Sequence, residues 1–323
     1  MTIDAIKAAA QRIAGHARRT PLLGAPFLDE IAGRRVLVKP ECLQHTGSFK
    51  FREAWSAISA LTEDARRKGI FAYSSGNHAQ GVAAAAKAHG TKATILMPAD
   101  APAIKIANTR ALGAEVVFYD RATENREARG AEIVAAGGFT LIKPYDDPLV
   151  IAGQGTIGLE IAADAAAMGI TTADVTICCG GGGLTSGIAT ALAAEAPEMI
   201  TRPVEPEGFD DVIRSLATGT ITPNTTTTGT LCDAIATPAP GTLTFPIMQH
   251  YCGTGIVVTE SEALRAMAIA FRHLKLVVEP GGAVGLAAAL FHPQALPHDT
   301  VIAVISGGNV DAPMFARALA TLE

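Results

Sequence analysis

Strand-like apolar runs that stop at clusters of glycine, serine or asparagine recur along this chain, and helical patterns follow most of them. The runs are residues 35–39 (Arg-Val-Leu-Val-Lys), 69–73 (Gly-Ile-Phe-Ala-Tyr), 175–179 (Val-Thr-Ile-Cys-Cys) and 301–305 (Val-Ile-Ala-Val-Ile). Behind them stand Thr46-Gly-Ser, Ser74-Ser-Gly-Asn-His, Gly180-Gly-Gly-Gly and Ser306-Gly-Gly-Asn. Helical patterns follow at 54–61, 79–89 and 184–195. Further strands are expected at 91–97, 114–118 and 140–143, and helices at 104–112 and 123–136. Such alternation predicts an α/β fold built on parallel sheets. A length of 323 residues predicts more than one lobe. Residues 69–143 are expected to form a small lobe, inserted into a larger one made from 1–68 and 144–323.

Composition narrows the function. Apolar residues make up 49% and charged residues 18%, which suits a large buried core. A formal net charge of −5 gives no electrostatic ground for nucleic acid. The five cysteines are odd in number and two are adjacent, a pattern of neither disulfides nor zinc ligands, so a cytoplasmic setting is expected. Ile3, Ile6, Ala10 and Ile13 fall at helical spacing, which reads as a surface helix and not a signal peptide. No apolar run is expected to approach membrane-spanning length. The threonine-rich tract 220–230 reads as a loop.

The turns carry the candidate chemistry. Lys50 sits where a loop meets a helix, beside unpaired N–H groups whose positive potential favours the neutral amine that Schiff-base chemistry needs. The plain alternative is a solvated lysine. Four successive glycines between strand and helix let bare backbone wrap a phosphate; the alternative is a tight turn. Gly181, Gly183 and Gly187, with Glu205 about 20 residues on, also match a dinucleotide fingerprint, so a nicotinamide oxidoreductase is the rival class. Ser74, Ser75, Asn77 and His78 could hold a carboxylate at a helix start, or could simply cap it. Ser306 falls at the carboxyl end of a strand, where ligands of α/β sheets gather.

Together, Thr46-Gly-Ser-Phe-Lys50-x-Arg52, Ser74-Ser-Gly-Asn-His78, the glycine run and Ser306-Gly-Gly-Asn309 resemble the fold-type II (tryptophan synthase β-like) pyridoxal-phosphate enzymes, nearest to the serine racemase and catabolic threonine dehydratase group. The likeness includes Val150-Ile-Ala-Gly-Gln-Gly-Thr-Ile and Glu279-Pro-Gly-Gly-Ala-Val-Gly. It implies two open, twisted, mainly parallel sheet domains with pyridoxal 5′-phosphate between them. Lys50 is then the Schiff-base lysine and general base, and Ser75 the second acid/base on the opposite face. Phe49, Asn77, Gly180, Gly181, Gly182, Gly183, Leu184, Glu279 and Ser306 are cofactor contacts. Asn77 bonds the ring hydroxyl, and Ser306, too weak an acid to protonate the ring nitrogen, moderates the electron sink in favour of β-elimination. Ser74, Ser75, Asn77 and His78 hold the substrate carboxylate.

Glu205, Asp211 and the Phe209 carbonyl resemble the family's divalent-cation loop, for Mg²⁺ first and Ca²⁺ or Mn²⁺ next, against the alternative of a solvated acidic loop. Arg126 aligns with a substrate-facing arginine, though its charged neighbours suit a surface residue; pointing inward, it would receive a second carboxylate, as in 3-hydroxyaspartate. The expected activity is dehydration and deamination of a 3-hydroxy amino acid to a 2-keto acid and ammonia. L-Threonine and L-serine are the default substrates, 3-hydroxyaspartate, phenylserine or serine racemisation the alternatives, and a homodimer the expected assembly. The chain departs from the family at Glu53, where glycine is usual and which is expected near the cofactor entrance, at Leu112, where animal serine racemases carry tyrosine, and in 231–241, expected to line the side-chain pocket.

Overall fold

The computed structural model describes residues 1–74, 76–101, 103–120, 123–226 and 228–322. Its strands are β1 (Leu23–Gly24), β2 (Arg35–Pro40), β3 (Ile70–Tyr73), β4 (Ala93–Pro98), β5 (Glu115–Tyr119), β6 (Thr140–Leu141), β7 (Ala173–Cys178), β8 (Met199–Pro206), β9 (Ile256–Val258) and β10 (Thr300–Ile305). They form two sheets, one of six strands in the order β1-β2-β10-β7-β8-β9 and one of four in the order β5-β4-β3-β6. Every pairing is parallel except β1 with β2. β4 and β7 are buried along their whole length, as strands of a parallel sheet covered by helices on both faces must be.

Register places the chemistry. β2 and β10 run side by side with Lys39 opposite Val304, and β10 sets Val304 opposite Ile177 of β7. Their carboxyl ends therefore share one edge, which the turns before Lys50, after Ile305 and after Cys178 all leave. The Lys50 turn reverses through Thr46 and Gly47, both left-handed at φ 61° and 73°. It is zipped to the β10 turn: the Phe49 N–H donates to the Ser306 carbonyl at 3.0 Å, and the Gly308 N–H to that of Gly47 at 2.9 Å.

Helix Lys50–Ser59 joins the two halves. Phe51, Ala54, Trp55, Ala57 and Ile58 pack into one apolar cluster with Ile70 and Ala72 of β3 and Ile95 and Met97 of β4. Arg52, wholly buried, faces the other way. It donates to both oxygens of Glu41 at 2.8 Å and to those of Glu160 at 2.7 and 2.9 Å. Burial alone would push the Glu41 carboxyl up, yet the Arg52 charge and hydrogen bonds hold it below its usual range.

Helix Pro148–Ala167 corrects the sequence reading. It is 20 residues long with a mean hydropathy of 1.2, apolar enough by length and composition to cross a bilayer, but it is largely buried inside the fold. Gln154, Thr156 and Glu160 interrupt its apolar run, which is why the sequence conceals it. Its glycines admit neighbouring backbones: a Cβ on Gly155 would lie 2.8 Å from the Gly187 carbonyl. The amino-terminal helix, Ile3–Ile13, packs against it with Ile6, Ala9 and Ile13 inward. Residues 220–226 and 228–230 contain no helix or strand, as the threonine tract suggested.

Replacing Arg52 with alanine leaves Glu41 buried with its counter-charge gone. Unfolding by denaturant should show a loss of about 3–5 kcal/mol; a loss below about 1 kcal/mol would show that the cluster does not anchor the helix.

Candidate active site

One cleft opens between the two sheets. Lys50, Phe49, Ser74, Asn77, His78, Gly180, Gly181, Gly182, Gly183, Leu184, Arg126 and Ser306 line it, so the candidate residues from four separate turns converge. Ser75, expected as the second acid/base, lies outside the described residues. Residues 233–238 line the cleft as well, in accord with the expectation for that loop.

Lys50 is the first residue of its helix, earlier than the periodicity placed the start. Its Nζ donates to the Pro144 carbonyl at 2.5 Å and lies 3.0 Å from Glu53 Oε1 and 3.1 Å from Oε2. Glu53 is not at the cleft entrance. It is wholly buried beneath the lysine, one helical turn on, where the i, i+3 spacing puts both on one face. Glu53 also meets His78 Nδ1 at 2.6 Å and accepts from Gln154 Nε2. His78 Nε2 lies 3.0 Å from the Ile142 carbonyl. Both nitrogens of His78 are thus engaged, and what it offers a substrate is its backbone N–H in the first turn of helix Asn77–Ala88.

The glycine run behaves as a cradle. Gly182 is left-handed at φ 87°. A Cβ on Gly181 would fall 2.3 Å from the Tyr145 ring, and one on Gly183 would fall 2.5 Å from Gln154 Oε1. Helix Gly183–Glu195 starts here, so its unpaired N–H groups face the cleft. Gln154 Oε1 is buried without a hydrogen-bond partner, and the buried Thr185 hydroxyl has only the Cys179 thiol beside it. Bare N–H groups and under-partnered polar atoms fit a phosphate-bearing cofactor. Sequence reasoning did not single out Tyr145, Gln154 and Thr185; the first two reach the cradle by tertiary packing, whereas Thr185 stands in the first turn of the helix that begins at Gly183.

On the opposite wall, Asn77 Nδ2 donates to Glu279 Oε1 at 2.6 Å, and Asn309 Nδ2 donates to Asn77 Oδ1 at 2.7 Å. Each end of the Asn77 amide keeps hydrogen-bonding capacity for a ring hydroxyl. Ser74 Oγ accepts the Gly76 N–H at 3.1 Å. The Ser306 hydroxyl neighbours the Cys178 thiol, which burial pushes up to about 11. Arg126 stands at the mouth, its guanidinium carbon 4.8 Å from the centre of the Tyr73 ring and its Nη2 3.7 Å from the Glu127 carboxylate.

The acidic pair is buried, unlike a solvated loop. Glu205 accepts the N–H groups of Val212 and Ile213 at 3.1 and 2.7 Å, which fixes it at a helix start. Asp211 Oδ1 accepts from Asn224 at 2.6 Å, while Oδ2 is buried without a hydrogen-bond partner. Burial, with Asp211 nearby, holds the Glu205 carboxyl well above its usual range, and burial lifts Asp211 to about 6. Phe209 is buried beside them. Among the described residues no cluster of three or more His, Cys, Asp or Glu side chains is arranged to hold a metal. Two carboxylates and a carbonyl would need water to complete an oxygen shell.

A parallel α/β fold with a half-buried lysine facing a glycine cradle is the frame of a cofactor-dependent enzyme. Residues 13–307 match the model of the pyridoxal-phosphate dependent enzymes, and the chain belongs to that family. Over 321 residues it is 43% identical to an L-threo-3-hydroxyaspartate ammonia-lyase of Pseudomonas sp, with 98% of this chain and 97% of the relative covered. The crystal structure of a T.th. threonine deaminase superposes with a TM-score of 0.90 at 46% identity, over 96% of this chain and 99% of the other. Maize serine racemase superposes with a TM-score of 0.91 at 34% identity, over 99% and 97%. The nicotinamide alternative falls with these findings, and the fold-type II architecture stands.

Burial pushes the Glu279 carboxyl from its ordinary 4.5 up to about 7. It binds its proton more tightly folded than unfolded, so it favours folding in acid and loses that contribution as pH rises from 4.5 to 7. Glu279→Gln should remove this fall. Melting curves of the cofactor-free chain should show the variant gaining on the parent across that window, by on the order of 1 to 3 kcal/mol above it. Parallel curves at every pH would contradict the burial of a titrating carboxyl.

Proposed function

We propose that this enzyme is an ammonia-lyase that removes water and ammonia from a 3-hydroxy amino acid, with 3-hydroxyaspartate as its preferred substrate. The observation that carries the reading is the Lys50 amine facing the glycine cradle across one cleft, with a helix start at Ser74–Asn77–His78 beside it. Bound pyridoxal phosphate supplies a sink for the electron pair left on the substrate Cα. Lys50 holds the cofactor at rest and, once freed by the substrate amine, takes the Cα proton at Nζ. Loss of the β-hydroxyl as water and hydrolysis of the remaining enamine give a 2-keto acid and ammonia. The backbone N–H groups around Asn77 and His78, with the Ser74 hydroxyl, orient the α-carboxylate.

Arg126 favours hydroxyaspartate. Its guanidinium lines the cleft against the Tyr73 ring and, among the described residues, has only a loose ionic contact, to Glu127, leaving donors for a β-carboxylate. The 43% identical ammonia-lyase supports the same choice. A second reading, L-threonine or L-serine, is favoured by the uncharged wall of Ala234, Ile235, Ala236 and Pro238. Ammonia and keto acid should be assayed with L-threo-3-hydroxyaspartate, L-threonine and L-serine. Arg126→Leu should lower kcat/KM for hydroxyaspartate about 100-fold, as loss of a charged hydrogen bond implies, and leave threonine within about threefold. A protein most active on threonine and indifferent to Arg126→Leu would establish the second reading. Lys50→Ala should abolish turnover with every substrate; turnover retained would overturn both.

We also propose a divalent cation, Mg²⁺ before Ca²⁺ or Mn²⁺, at Glu205, Asp211 and the Phe209 carbonyl. Its support is the unpartnered Asp211 Oδ2 and the burial that holds both carboxyls above their usual range, with the Asp211 charge adding to the rise at Glu205. Chelation should lower the melting temperature of the parent, and added Mg²⁺ should restore it. Asp211→Asn should be insensitive to both; a variant as sensitive as the parent would count against the site.

A further inference from the structure

Glu53 is a buried carboxylate in the first turn of the helix that begins with Lys50, and the reaction as derived above makes no use of it. Its position is fixed by close backbone approaches. A Cβ on Gly153 would fall 2.8 Å from Glu53 Cα, and a Cβ on Gly81 would fall 2.7 Å from the Lys50 carbonyl. Helices Pro148–Ala167 and Asn77–Ala88 therefore grip the lysine helix through glycines, and Glu53 has little room to turn away.

Its partners define a proton count. The Ile142 carbonyl can only accept, so His78 Nε2, 3.0 Å away, carries a hydrogen. At 2.6 Å, an unprotonated Nδ1 facing an ionised carboxylate would set lone pair against lone pair. One proton must lie between His78 Nδ1 and Glu53 Oε1. Glu53 is then a carboxylate whose negative charge is partly answered by His78, with Lys50 Nζ 3.0 Å away on the other side.

We propose that Glu53 is the counter-ion of the Lys50 nitrogen, a positioning residue that holds this nitrogen in its charged form, and that His78 tempers the effect through the proton it shares with Glu53. A charged nitrogen is what the lysine–cofactor linkage needs to be open to attack by a substrate amine, so this pairing governs how readily the resting enzyme accepts substrate. The other groups around Nζ leave Glu53 this role. The Pro144 carbonyl, which accepts from Nζ, and Gln154, which donates to Glu53, are neutral. Lys105 pairs with Asp233 and Arg126 with Glu127 elsewhere in the cleft. Burial keeps the Cys178 thiol and the Tyr145 hydroxyl protonated, pushed up to about 11 and about 12. The inference rests on Lys50 carrying the cofactor and is independent of which amino acid is the substrate.

The test is a pH titration of the visible band of the resting holoenzyme, with no substrate present. Glu53→Gln removes the charge next to the nitrogen and should move the midpoint of the band to lower pH by about one unit, the size an opposite charge at this distance produces. His78→Asn keeps a donor to Glu53 but takes away the shared positive charge, and should move the midpoint to higher pH. Glu53→Asp should bring it back toward the parent. Midpoints that stay in place, or that move the same way in Glu53→Gln and His78→Asn, would show that Glu53 serves packing alone and overturn the proposal. If Glu53→Gln takes up no cofactor, His78→Asn decides: a raised midpoint supports the proposal, and an unmoved or lowered one overturns it. A parent protein with no band, or with a band that survives borohydride, would instead defeat the assignment of Lys50.

Discussion

The buried contact between Arg52 and the carboxylates of Glu41 and Glu160 is what the rest of the site depends on. Helix Lys50–Ser59 contributes its apolar residues to the core around β3 and β4, while its amino end must stay registered with the turn after β10. Arg52 reconciles the two by binding the lysine helix to the segment after β2 and to helix Pro148–Ala167. An arginine suits the task because its planar fork meets two carboxylates with paired donors and stays charged when buried. Without such a tie, nothing would hold the start of the Lys50 helix in register with both sheets.

Charge is handled differently in three neighbouring places. Around Arg52 each buried charge is matched, and Glu41 is held ionised. At Glu279 there is no comparable partner, and the carboxyl is pushed toward its neutral form. At Glu205 and Asp211 two carboxyls face each other with one oxygen unpartnered, an arrangement that a cation would relieve. A buried carboxyl is thus held ionised, pushed toward its neutral form or left with an unpartnered oxygen, according to what desolvates it and what stands opposite.

Much of this was legible in the sequence. The convergence of Lys50, the glycine run and Ser306 follows from one rule, that turns leaving the carboxyl ends of adjacent parallel strands share an edge, and the strand-then-glycine pattern displayed those turns. The parallel α/β class followed from alternation and the two-sheet arrangement from the family resemblance, although strands β8 and β9 were not read. What stayed hidden depends on tertiary burial. Glu53 looked like an entrance residue because nothing in Arg-Glu-Ala tells which face the helix buries. The engagement of the His78 ring by Glu53 and Ile142 was hidden because it joins segments far apart in the chain. Tyr145 and Gln154 were hidden for the same reason, whereas Thr185 adjoins the glycine run and was passed over. Helix Pro148–Ala167 escaped notice because the polar residues that interrupt its apolar run serve the buried network around Lys50 and Arg52.

The most direct measurement is to reduce the holoenzyme with borohydride, digest it and locate the pyridoxyl group by mass spectrometry. The added mass is expected on the peptide carrying Lys50 and on no other. A pyridoxyl group on a different lysine, or no covalent adduct at all, would contradict the assignment on which the site and its chemistry rest.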